Sequence, residues 1–190
     1  MVDKRKFKDI NVSLLGLGTM RLPCETEQKR ESNRNIDYDK AQSLVDLAYK
    51  NGVNYFDTAY MYHCGKSEAF IGYALNKYPR DTYFIADKLP IWLCDTKEDM
   101  KRVFEKQLER TGMDYFDFYL LHSLDNENFE KCEKFYAYDF LKKMQKEGKI
   151  KYIGFSFHGT VDDLRNIVSA HKWDFAQIQM NYLDWENQNA

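Results

Sequence analysis

Cysteine is scarce and scattered. The 190-residue chain has four, Cys24, Cys64, Cys94 and Cys132, and no two form a CxxC pair. That spacing indicates neither a disulfide framework nor a zinc knuckle, so free thiols and no metal site are expected. No run of eighteen or more apolar residues occurs, so no membrane helix and no membrane partner are expected. The opening residues, MVDKRKFKDINVS, lack the apolar centre of a signal peptide, and a cytoplasmic protein is expected. Neither charge sign dominates. Lys and Arg number 28 and Asp and Glu 30, a net charge of -2, and no basic tract stands out. Nucleic acid is therefore not an expected partner. What is present in quantity is apolar residue, 44% of the chain, enough for a substantial core and, at this length, one domain spanning 1–190.

The most informative stretch is 53–68, VNYFDTAYMYHCGKSE. Val53, Tyr55 and Phe56 suit a buried strand, and Asp57 stands where that strand should stop. A carboxylate there is costly unless it is paired or hydrogen-bonded. The same design recurs. Apolar strands are expected near 14–18, 53–57, 82–88, 116–122, 150–156 and 175–180, with 7–13 as a short strand or hairpin arm. Helices are expected over 38–51, 67–76, 96–111, 129–147 and 161–170, where apolar residues recur at helical spacing. Asn51-Gly52 and Gly148 stop two of them and Pro79 bars another, while Thr96 with Asp99 resembles a capping box. Residues 23–35 are polar loop, and their charged run TEQKRESNR reads as solvated surface.

Strand and helix alternate with no hairpin signal between the core strands, which predicts parallel strands joined by crossover helices. Asp57, Lys88, His122 and Ser156 recur at about thirty-residue intervals, one at each successive strand end. In an α/β barrel of the (β/α)8 type such ends converge on one mouth, whereas an open doubly wound sheet would not easily gather four of them. GLGTM at 16–20 is not GxGxxG and no helix follows it at once, so a Rossmann fingerprint is not supported. Singly, each residue also has an ordinary reading: Tyr62 as an amphipathic rim residue, Lys88 as a snorkelling lysine, His122 as a hydrogen-bonded core histidine. Taken together at successive strand ends, they favour one site.

Six segments carry a family resemblance: GLGTM at 16–20, FDTAYMYHCGKSE at 56–68, DKL at 87–89, LLH at 120–122, IGFS at 153–156 and AQIQMNYLD at 176–184. On these the chain resembles the aldo-keto reductases. GTMRLP and DTAYMYH look like a bacterial and archaeal subgroup whose longer members often carry a C-terminal iron–sulfur domain. No such cluster is expected here, because the cysteines lack its close spacing. The resemblance implies reduction of an aldehyde or ketone by hydride from NADPH, or from NADH. Tyr62 would be the general acid, Lys88 would lower its pKa, Asp57 would pair with Lys88, and His122 would orient the substrate oxygen. Gly18, Thr19, Met20 and Asp57 would lie beside the nicotinamide and its ribose, with Ser156 and Gln177 on the carboxamide. Phe157 replaces the asparagine common after that serine. His63-Cys64 separates Tyr62 from Gly65, where many members place glycine directly after the tyrosine. His63 is expected in exposed loop, Trp92 as pocket wall or packing, and His171 near a helix end as complement to its dipole.

A whole barrel needs about 250 residues. The resemblance therefore implies six βα units of a barrel truncated before its last two strands. Open edges on the first and sixth strands invite self-association. Two other functions fit the same residues: a non-catalytic subunit that docks through those edges, and non-redox carbonyl chemistry through a Schiff base on Lys88.

Overall fold

The computed structural model describes residues 1–25 and 35–180. The run TEQKRESNR at 26–34, the NYLD segment at 181–184 and the tail 185–190 lie outside the described residues.

A hairpin opens the chain. Strands β1 (Lys4–Phe7) and β2 (Ile10–Ser13) pair antiparallel, with Lys8 taking a left-handed φ of 51° in the tight turn. The later strands follow chain order in one six-stranded sheet, β3 (Leu17–Gly18), β4 (Tyr55–Asp57), β5 (Phe84–Leu89), β6 (Phe116–Leu124), β7 (Ile150–Phe157) and β8 (Phe175–Ile178). Every registered pair among these six is parallel, as uninterrupted strand–helix alternation requires. The fold class is the (β/α)8 barrel type, carried here through its sixth strand.

The chain packs as two compact units. The first takes Met1–Asp87 together with Gln107–Asp114. It contains β3, β4, the first four residues of β5, helix α1 (Tyr38–Lys50), helix α2 (Ser67–Leu75) and the last turn of α3 (Lys97–Thr111). Asp37 caps α1 by accepting the N–H of Lys40, and Gly52, at φ 95°, follows its end. Ala41 and Val45 of α1 and Phe70, Ile71 and Ala74 of α2 are buried with Phe56 and Ile85 of the sheet. Gly72 permits a close approach of α2 to the end of α3. A Cβ there would sit 2.1 Å from the carbonyl oxygen of Thr111. In the sheet, Gly18 pairs with Asp57 and Asp57 with Ala86, so one level of the ladder holds all three.

The second unit takes Lys88–Lys106 and the chain from Tyr115 onward. Its strands β6, β7 and β8 carry helices α4 (Asn126–Phe135), α5 (Ala137–Lys146) and α6 (Val161–Ala170). Phe104 makes edge-on contacts with Phe116, Tyr119 and Phe140, the aromatic centre of this core. Thr96 and Asp99 form the expected reciprocal cap at the start of α3, and Thr160 and Asp163 form a second at α6.

Three expectations need correction. Leu14 and Leu15 are 58% and 59% exposed, and the first core strand is only Leu17–Gly18. The single helix expected over 129–147 is two, α4 and α5, broken at Tyr136 in the left-handed region with φ 57°. Strand β5 starts at Phe84 instead of Thr82, because Arg80–Thr82 after Pro79 form a short 3-10 turn.

Candidate active site

In the first unit the hydroxyls of Thr58, Ser67 and Thr19 form a chain that ties strand ends to a helix start. Both the N–H and the Oγ1–H of Thr19 donate to the carbonyl oxygen of Asp57, each at 2.9 Å. Ser67 donates to Thr19 Oγ1 at 2.6 Å, and Thr58 Oγ1 lies 2.9 Å from Ser67 Oγ. Because the Ser67 proton is already directed at Thr19, Thr58 is the donor in that contact. Gly18, Thr19 and Asp57 are thus brought together. Asp57 is 8% exposed at the end of β4. A Cβ on Gly18 would meet nothing within 4 Å, and Met20 is half exposed.

Tyr62 opens the 3-10 turn Tyr62–Gly65 that follows β4. The turn is backbone-strained. His63 and Cys64 sit at φ 50° and 54°, and Gly65 at φ 81°. His63 is buried, not in exposed loop as its surroundings predict. Its Nε2 accepts the backbone N–H of Leu22 at 3.1 Å, and Cys24 Sγ lies 3.8 Å from its Nδ1. Tyr62 itself is partly buried. The nearby Tyr55 is no rival acid, since burial and then the Asp57 charge push its phenol far above the ordinary range.

In the second unit Lys88 is the next-to-last residue of β5 and only 1% exposed. His122 lies in β6, where burial first, then the charges of Lys88 and His158, push its imidazole down to about 3. It is therefore neutral at physiological pH, with one ring N–H to donate. The Trp92 ring lies 5.0 Å from that of His122, and Lys131 reaches the Trp92 carbonyl oxygen at 3.4 Å and the Asp95 carboxylate at 3.2 Å. Trp92 thus serves as packing against His122 while remaining 37% exposed.

Ser156 and Gln177 are register partners on β7 and β8. Ser156 is buried and its Oγ accepts the N–H of Ser123 at 2.7 Å, while Gln177 is exposed. Ser123, at φ 55°, stands in the irregularity that interrupts the β6–β7 register after Leu121. Its part in fixing Ser156 has no signal in the sequence. Phe157 is buried beside them and His158 is exposed. His171 pairs with Glu133 at 2.7 Å and stacks on Tyr138 at 4.1 Å.

No disulfide joins any of the four cysteines, all of which lie among the described residues. Among the described residues no helix is long and apolar enough to cross a membrane.

Comparison with known proteins gives this arrangement a family. The model of the aldo/keto reductase family matches residues 14–190. An aldo-keto reductase of Gibberella moniliformis is 31% identical over 186 residues, 94% of this chain and 53% of that protein. The NADH-specific methylglyoxal reductase of Escherichia coli is 27% identical over 95% of this chain and 59% of its own length. Among solved structures, the holo form of an aldo-keto reductase from Bacillus halodurans superposes with a TM-score of 0.73 at 26% identity, covering 95% of this chain and 58% of that one. The chain therefore spans between one half and three fifths of each of these relatives. With the match running through every strand of the sheet, the chain belongs to the aldo/keto reductase family.

Proposed function

We propose that this chain carries the proton-transfer residues of an oxidoreductase that reduces a small aldehyde or ketone with a nicotinamide. The family match supports the reaction class. Within the chain, the observation that carries the assignment of roles is His122. A buried imidazole held neutral down to about pH 3 can donate a hydrogen bond to a carbonyl oxygen without competing to protonate it.

Tyr62 then delivers the proton. An ordinary phenol titrates near 10, too high for easy delivery at neutral pH, and an adjacent ammonium favours the phenolate and lowers that value. By its place in the family motif Lys88 is assigned that role, and Asp57 that of offsetting the cost of burying an ammonium, Lys88 being 1% exposed. The residues present fit a nicotinamide. Ser156 and Gln177, side by side on adjacent strands, offer a hydroxyl and an amide that complement a primary carboxamide. Gly18 leaves open space beside the backbone. Met20 and the Thr19–Asp57 junction flank that space in the chain. When bound, the cofactor supplies hydride to the carbonyl carbon. NADPH is the first donor to test, and NADH stands beside it because the Escherichia coli relative is NADH-specific.

The test titrates NADPH and NADH into the protein and follows loss of the reduced nicotinamide on addition of methylglyoxal. Tyr62→Phe is expected to lower turnover by about 10²–10⁴-fold while retaining cofactor affinity. The reading fails if neither nicotinamide binds, or if Tyr62→Phe turns over like the parent.

A further inference from the structure

We propose that Arg110 is a positioning residue for the turn that bears Tyr62, clamping Tyr60 and Gly65 against the buried carboxylate of Glu68. The inference rests on the reading of Tyr62 as the proton donor, and it adds a residue that is in none of the six short segments that carry the resemblance.

Arg110 lies in the last turn of α3, more than forty residues along the chain from the turn it touches. Its guanidinium makes three contacts. One nitrogen donates to Glu68 Oε2 at 2.9 Å. The central carbon lies 4.4 Å from the centre of the Tyr60 ring. The two terminal nitrogens come within 3.3 and 3.4 Å of the point a Cβ on Gly65 would occupy. Tyr60 stands two residues before Tyr62 and Gly65 three after it, so the plane of one side chain braces both flanks of the turn. Glu68, fully buried in the first turn of α2, gives the guanidinium a fixed partner. Burial works against the charge on Arg110, and the hydrogen bond and charge of Glu68, with Tyr60 adding to them, outweigh it. Gln107, one helical turn earlier, donates to the buried Asp87 at 2.8 Å and anchors the same face of α3.

The turn needs a brace. Two successive non-glycine residues in the left-handed region are strained, and the surroundings must impose them. Backbone hydrogen bonds close the turn, from Tyr62 N–H to the Ala59 carbonyl and from Lys66 N–H to those of His63 and Tyr62. A proton donor displaced by about 1 Å loses on the order of 10²-fold in rate. Lysine could keep the charge on Glu68, but a point ammonium cannot lie flat against Tyr60 and Gly65 together.

The test compares Arg110→Met and Arg110→Lys with the parent protein. The first readout is amide hydrogen exchange at Tyr62 and Lys66, with α1 and the β1–β2 hairpin as internal controls. Arg110→Met is expected to speed exchange at Tyr62 and Lys66 by about 10-fold or more and to leave the controls unchanged, with Arg110→Lys between it and the parent. In the methylglyoxal assay kcat should fall by about 10–10²-fold, with cofactor affinity held within about twofold. Unchanged exchange at Tyr62 and Lys66 overturns the clamp, and so does faster exchange spread equally through α1. If the methionine variant does not fold, the lysine variant decides by the same measure. Absence of turnover in the parent protein defeats the reductase reading, and exchange still judges the clamp. Local loosening with kcat unchanged defeats the positioning role.

Discussion

The backbone N–H of Leu22 donates to Nε2 of His63 at 3.1 Å, and this bond decides which ring nitrogen carries hydrogen. With Nε2 accepting, the neutral ring bears its proton on Nδ1, facing the Cys24 sulfur at 3.8 Å. Nitrogen NMR at neutral pH should show that tautomer. His63→Leu would strip a buried donor of its acceptor and should cost about 1–3 kcal/mol in urea unfolding. A stability equal to the parent's would show that the bond contributes nothing net.

Acid should expose the burial of His122. Its pKa is depressed from 6.5 to about 3 in the folded chain, so between those values the unfolded chain binds the extra proton. Stability from this group is fully present above about pH 6.5 and is lost as pH falls, by up to about 1.4 kcal/mol per unit. Unfolding free energies of the parent and His122→Asn, measured from about pH 7 to 4, should differ in slope, with the parent steeper. Parallel curves would mean that His122 takes up its proton as readily folded as unfolded.

Two glycines should respond in opposite ways. Gly72→Ala drives a methyl group into the Thr111 carbonyl and should cost about 3 kcal/mol or more. Gly18→Ala meets nothing within 4 Å and should leave stability within about 0.5 kcal/mol, while weakening nicotinamide binding by occupying that space. Thermal melts paired with cofactor titrations check both. A Gly18→Ala protein with undiminished cofactor affinity would place the nicotinamide elsewhere.

Among the described residues strand β8 is the last in the order of the sheet, and its Ala176 and Gln177 are exposed. Exposed residues on an outer strand favour strand-to-strand association, so the protein is expected to self-associate as its concentration rises. Light scattering that reports one monomeric mass over a wide concentration range would refute this.

Local chemistry made most of the fold legible. Gly52 after α1, Pro79 before β5 and Thr96 with Asp99 at α3 each act within a few residues of themselves, and each boundary falls within two residues of expectation. Asp57, Lys88 and His122 were visible as polar breaks at the ends of apolar runs. What escaped depends on distant partners. The break at Tyr136 has neither glycine nor proline to announce it, and Lys97 lies 4.1 Å from the ring of that residue. The run at 14–17 looks like a core strand by hydropathy, yet both its leading leucines are exposed. His63 looks like loop because the partner that buries it is Leu22, 41 residues away.

The thiols sort themselves by burial. Cys94 is pushed up to about 11, chiefly by desolvation and then by Asp99, and Cys132 is pushed up as well, so neither offers much thiolate at neutral pH. Cys64 is the exposed member of the four. It follows the buried His63 and precedes Gly65, in the strained turn that begins at Tyr62. The turn thus has its own attachment point: a dye or spin label on Cys64 would report its motion without a cysteine being introduced.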